Sequence, residues 1–153
     1  MFHVYTRCSD FSRSIVPFQK LVKAESLLSF STQRIGQQYF RKNVIEECFG
    51  KCVVTKVKEQ EPSILIASHI KPWIDSSDIE KVHGGNGLLL APHIDKLFDS
   101  GLITFDDSRK IVISRILSIG VKKSWNIDVD SAFSLTKAQQ NFMIFHQDNV
   151  FKH

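Results

Sequence analysis

Apolar positions mark out most of this chain's elements. Phe40, Val44 and Cys48 recur every four residues, with Ile35 and Tyr39 close to the same face. That spacing predicts an amphipathic helix ending near Gly50, its other face carrying Arg34, Arg41 and Lys42. Two short β-like runs follow at 52–55 and 64–67, separated by a charged turn at 56–62. A polar loop over 75–85 leads into Leu88, Leu89 and Leu90, an unbroken apolar run that predicts a buried strand. Pro92 suits the first turn of a helix and Gly101 its stop, with Ile94, Leu97 and Phe98 on the inner face. Residues 102–105 and 110–114 predict a hairpin around Asp106, Asp107 and Ser108. Thr136 followed three residues on by Gln139 is a capping box, opening a last helix over 135–151. Residues 1–31 hold no sustained period and read as a poorly patterned leader ahead of a domain at 32–153. The order of elements predicts a small α+β domain.

Composition narrows the class. At 153 residues the chain is about one domain, able to bury a core without disulfides or a structural metal. Lys plus Arg exceed Asp plus Glu by 20 − 16 = +4, a balance that permits a polyanionic partner. No apolar run approaches the ~18–20 residues that span a bilayer. Arg7, Asp10, Arg13, Lys20, Lys23 and Glu25 break up the first thirty positions, so no signal-peptide core is read there. The three cysteines, Cys8, Cys48 and Cys52, are odd in number and do not form a secreted disulfide framework. The expectation is a cytoplasmic protein with reduced thiols. Basic residues dominate 33–58 (Arg34, Arg41, Lys42, Lys51, Lys56, Lys58), and 109–123 carries five with no acid. Such stretches can neutralise phosphates.

Two places can carry chemistry. His69 falls where the second β-like run ends, so it would project from a rigid edge; an imidazole titrating near 6.5 can serve as a general base. Asp95 and Asp99 are four apart on the predicted helix and share a face, a donor pair suited to a hard cation such as Mg²⁺ or Mn²⁺. His93 lies two positions before Asp95, roughly 200° round the helix.

The run Ala67-Ser68-His69-Ile70-Lys71-Pro72-Trp73, then Asn86, then Asp95 nine positions later, resembles the HNH motif of the ββα-metal endonucleases. The wording from Asn86 through Phe105, with Arg34, Phe40 and Arg41 upstream and Phe145, Asn149 and Phe151 at the end, is similar to a restriction-endonuclease-like branch. The resemblance implies a small ββα-metal (HNH) core with flanking helices and a β-hairpin. It implies a metal-dependent endonuclease hydrolysing DNA phosphodiester bonds, with His69 as the base that takes a proton from water. Asn86 would orient the loop and the His69 ring. Asp95, at the last H of the motif, and Asp99 would hold a divalent ion, with His93 as a third candidate on a shifted helix. Lys71, Trp73, Lys96 and Arg41 are candidates for nucleic-acid contact.

Two departures stand out. Ser68 occupies a place where many relatives have a metal ligand, and Asp95 replaces the last histidine. They leave an inactive or weakened HNH-fold DNA-binding protein as the alternative. Relatives with a zinc knuckle have paired cysteines where this chain reads Cys52-Val53-Val54-Thr55 and Ala91-Pro92-His93-Ile94, so no structural zinc is expected. Double-strand cleavage would call for a homodimer.

Overall fold

The computed structural model describes the backbone from Phe18 to His153 and side chains from Gln33 onward. The leader read over 1–31 lies outside the described residues, apart from its backbone from Phe18, which is helical. The chain divides into residues 1–33 and 34–153, and every contact described below lies within the second unit.

Helix α1 (Phe18–Glu47) starts well before the predicted helix. Leu21, Lys23, Ala24, Glu25, Leu27 and Leu28 are good helix formers without amphipathic spacing, so local propensity extends the helix where no apolar stripe announces it. Phe49 and Gly50 end the turn that follows it with positive φ of 53° and 62°. The expected strand at 52–55 does not form. Cys52 and Val53 are buried, but Cys52 N–H donates to Val57, Lys56 N–H to Cys52, and the chain turns back. Val53 N–H makes one bond, 2.9 Å, to Leu89 O, so this segment touches the sheet without joining it.

Strand β1 (Ile66–His69) is displaced two residues from the expected run and pairs antiparallel with β2 (Gly87–Leu90), Ile66 opposite Leu90 and His69 opposite Gly87. Every β2 residue is buried, as its unbroken apolar run requires. A Cβ at Gly87 would come within 2.3 Å of Val44 and 2.7 Å of Phe40, so glycine is what lets α1 close on the start of β2. Between the strands the expected loop holds a short helix, α2 (Asp78–Val82), capped reciprocally by Ser77 and Glu80. Helix α3 (Pro92–Asp99) follows β2 and completes a ββα unit with Ile94, Leu97 and Phe98 buried. Its end is a Schellman motif: Gly101 (φ +68°) donates to Phe98 and Leu102 to Leu97.

The hairpin β3 (Ile103–Phe105) and β4 (Ile111–Ile113) forms where the pattern places it, as does α5 (Lys137–Asn149) with its Thr136–Gln139 capping box. Helix α4 (Ile119–Ser124), capped by Ser118, has no apolar periodicity to announce it. The whole is α+β. No helix among the described residues is long and apolar enough to cross a membrane.

One buried histidine ties α5 to this frame. His146 donates from Nε2 to Phe98 O (3.1 Å), shares a 2.9 Å bond between Nδ1 and the Thr104 hydroxyl, and stacks on Phe98. Burial lowers its pKa to about 4, against the opposing pull of the Phe98 carbonyl and Asp99. The unfolded chain's histidine titrates near 6.5, so between there and about 4 the unfolded state binds the extra proton. Stability should therefore be full above that window and fall as pH drops through it, by up to about 1.4 kcal/mol per pH unit from this group. Urea unfolding at pH 7 and pH 5 should show a steeper loss in the wild type than in His146→Gln. Equal slopes would remove His146 from the acid sensitivity.

Candidate active site

His69 is the last residue of β1, and its neighbours fix both the plane and the protonation of its ring. Phe40 of α1 stacks on it with centroids 3.5 Å apart and 8° between planes, while Trp73 meets it edge-on at 5.6 Å. Nε2 lies 3.0 Å from the Lys81 carbonyl. A carbonyl can only accept, so Nε2 carries the proton and Nδ1 of the neutral ring keeps its lone pair. Burial lowers the His69 pKa below the ordinary range, opposed by the Lys81 carbonyl. The ring is thus biased toward its neutral form, the one that can accept a proton.

Asn86 is fully buried at the turn before β2. Its Oδ1 accepts from Lys71 N–H (2.8 Å), and Nδ2 reaches Lys71 O, Ser76 Oγ and Glu80 O, each at 3.2 Å. The amide therefore binds the 71–80 loop to the sheet; it does not contact the His69 ring, which the Lys81 carbonyl and two aromatic rings hold instead. The expectation that Asn86 orients the ring directly is corrected to an indirect link through this loop.

An open cleft of about 400 Å³ brings His69, Ser68, Asp95, Asp99 and Trp73 together along β1 and α3. Asp95 is half-buried and Asp99 exposed. Burial raises the Asp95 carboxyl; a Ser68 hydrogen bond opposes this, Asp99 adds to it and Lys96 works against it. Among the described residues neither carboxylate forms an ion pair. Carboxylates held close together, one of them desolvated, meet the electrostatic condition that a cation relieves. No three His, Cys, Asp or Glu side chains among the described residues form a ready cage. Mg²⁺ does not need one, since it is commonly held by one or two carboxylates with water and phosphate completing its shell. The donor set fits a hard divalent ion.

Other expected site residues are placed differently. His93 leaves the cleft to Asp95 and Asp99 and meets Trp125 edge-on at 5.8 Å, in keeping with its position round the helix. Lys71 is engaged by Glu80 at 2.9 Å and lies over the Phe145 ring, so its charge is already compensated. Arg41 donates to Leu65 O, Glu59 and Ser63, tying α1 to the 59–65 segment. Each cation is thus tied to a partner distant in sequence. Trp73 walls the His69 ring, with Lys81 Nζ 5.5 Å from its own ring centroid. Lys96 is exposed on α3 and unpaired among the described residues. Cys48 and Cys52 are free thiols whose sulfurs accept backbone N–H groups of Leu89, Thr55 and Ala91.

Pattern reading missed Phe40 as a ring support, and it missed the Lys81 carbonyl. The Ser77-to-Glu80 spacing was a legible capping signal for α2; a backbone carbonyl has no side-chain signature.

The ββα order, the histidine at the end of its first strand and the asparagine before its second agree with the segment's family assignment. Residues 52–106 match the HNH endonuclease family. That HNH segment contains His69, Asn86, Asp95 and Asp99, and the match supports a nuclease. A modification dependent TagI restriction endonuclease is similar in structure at 20% identity and a TM-score of 0.48, with 71% of this chain and 36% of that chain covered. This chain thus spans about a third of that protein's length. No curated protein matches it.

Proposed function

We propose that this protein is a metal-dependent HNH endonuclease that hydrolyses DNA phosphodiester bonds by attack of water. The observation that carries the reading is the His69 ring, biased toward its neutral form by burial, donating from Nε2 to the Lys81 carbonyl so that Nδ1 keeps its lone pair, and lining a cleft shared with two carboxylates. Nδ1 takes the proton as water attacks phosphorus. Phe40 and Trp73 keep the ring in plane during the transfer, and Asn86 holds the loop that carries its hydrogen-bond acceptor. Asp95 and Asp99 would hold a divalent cation, with Mg²⁺ preferred and Mn²⁺ acceptable, and such an ion would supply charge stabilisation at the scissile phosphate and the departing 3′ oxygen. Lys96, unpaired beside Asp95, is the phosphate contact of choice. Restriction-type cleavage is the finer reading, resting on the sequence resemblance beyond the motif itself. A cytoplasmic homodimer would let two such sites cut opposite strands.

One observation favours the alternative of a weakened or inactive DNA-binding protein: Ser68 gives the cleft a hydroxyl where a third strong ligand would otherwise sit. Supercoiled plasmid separates the two readings. Incubated with purified protein in Mg²⁺ or Mn²⁺, it should become nicked, and EDTA should reduce nicking to background. Salt-sensitive DNA binding without cleavage in either metal would leave the binding protein.

A further inference from the structure

We infer that Glu80 is a positioning residue for His69, acting through α2 and its single backbone carbonyl. The inference rests on His69 being the base proposed above. Glu80 ties together three groups around α2: Ser77, Lys71 and Asn86. Its carboxylate accepts Ser77 N–H at 2.8 Å, closing the capping box of α2. The same carboxylate grips Lys71 Nζ with both oxygens, at 2.9 and 3.1 Å. Its own carbonyl accepts Asn86 Nδ2 at 3.2 Å. Lys71 is in turn held at N–H and C=O by the Asn86 amide. Glu80, Lys71 and Asn86 thus form a closed ring of bonds anchored to the residue before β2.

Lys81 follows Glu80 directly, and its carbonyl is the atom that His69 Nε2–H meets at 3.0 Å. A helix of only five residues has little intrinsic stability, so its position depends on such ties. The consequence is chemical as well as structural. If α2 swings, Nε2 loses its acceptor and the neutral imidazole divides between its two tautomers. Only the form protonated at Nε2 leaves Nδ1 able to accept the water's proton. Glu80 never touches water or phosphate in this scheme; it determines which ring nitrogen is basic.

The test pairs a spectroscopic readout with kinetics. Long-range ¹H–¹⁵N correlations of the His69 ring report its tautomer whether or not the protein cuts DNA. The wild type should show Nε2 protonated. Glu80→Ala should shift the ring toward a mixture and lower kcat for plasmid nicking about tenfold, a fraction of what a general base contributes, with KM for DNA within about twofold. Glu80→Gln keeps an acceptor for Ser77 N–H but loses the charge pairing with Lys71, so it should fall between the two. Asp78→Asn breaks the exposed Asp78–Lys81 pair on the same helix and should leave both readouts at wild-type values. If Glu80→Ala does not fold, Lys71→Met removes the same ion pair from the other side and is read by the same spectrum. A His69 ring that stays protonated at Nε2 in these variants overturns the inference, even if cleavage falls. A tautomer shift in a protein that never cuts DNA leaves the inference standing and removes the nuclease reading.

Discussion

His69→Ala should lower the rate of metal-dependent plasmid nicking by about 10²–10⁴-fold, the range over which a positioned general base accelerates proton transfer. DNA affinity should change little, because the role proposed for the imidazole is toward the attacking water rather than in holding the DNA. The variant also leaves a slot between Phe40 and Trp73 shaped for an imidazole ring. Added imidazole should therefore restore part of the rate in His69→Ala and none in the wild type. The pH profile gives an independent check. The active form of the ring is the unprotonated one, and burial lowers its pKa. Activity should accordingly persist into acid below the ordinary histidine range before it declines. Nicking by His69→Ala at the wild-type rate would place the base elsewhere. The other imidazole that lines the cleft, His146, already has both ring nitrogens engaged, by the Thr104 hydroxyl and the Phe98 carbonyl.

Much of this arrangement was legible in the sequence where local chemistry decides structure. Pro92 and Gly101 delimit α3 because one fits a first turn and the other supplies the positive φ of a Schellman end. Thr136 and Gln139 open α5 for an equally local reason. The separation of His93 from Asp95 and Asp99 followed from helix geometry alone. Distant partners decided the rest. Cys52 to Thr55 has strand-like residues, yet its one bond to Leu89 is not a ladder and the turn closing on Cys52 prevails. The register of β1 is set by β2, which moves the strand from 64–67 to Ile66–His69 and puts His69 inside the pairing. The pairing of Lys71 and Arg41 left no local signal because Glu80 and Glu59, which engage them, are 9 and 18 positions away. The acceptor that fixes the His69 tautomer belongs to the backbone of Lys81, where any side chain would offer the same oxygen.

Asn86→Asp should be among the most damaging single substitutions in the fold, although it changes one atom group. The amide is the right group for its place because its two ends face opposite demands. Oδ1 meets a donor, Lys71 N–H, while Nδ2 meets the Lys71 and Glu80 carbonyls and the Ser76 hydroxyl. An ionised carboxylate keeps the first bond but turns a negative oxygen toward two carbonyls in a site with no exposure to water. Each of those carbonyls keeps one other donor, the Ser76 hydroxyl or His83 N–H, so the damage comes mainly from the buried negative charge facing them, and the loss should reach about 3 kcal/mol at neutral pH in urea unfolding. Protonation would return one donor to the cluster, which fixes the sign of the pH dependence. The substituted carboxyl binds its proton more tightly in the folded state than in the unfolded chain, so the damage should shrink as pH falls below neutrality toward the ordinary carboxylate range. Asn86→Ala, with no charge to bury, should be less destabilising at pH 7 and lack that extra pH dependence. A loss below about 1 kcal/mol for Asn86→Asp at pH 7 would mean that water reaches this cluster and satisfies it. The loop bearing the Lys81 carbonyl would then be held by α2 and the Glu80–Lys71 pair without the sheet's help.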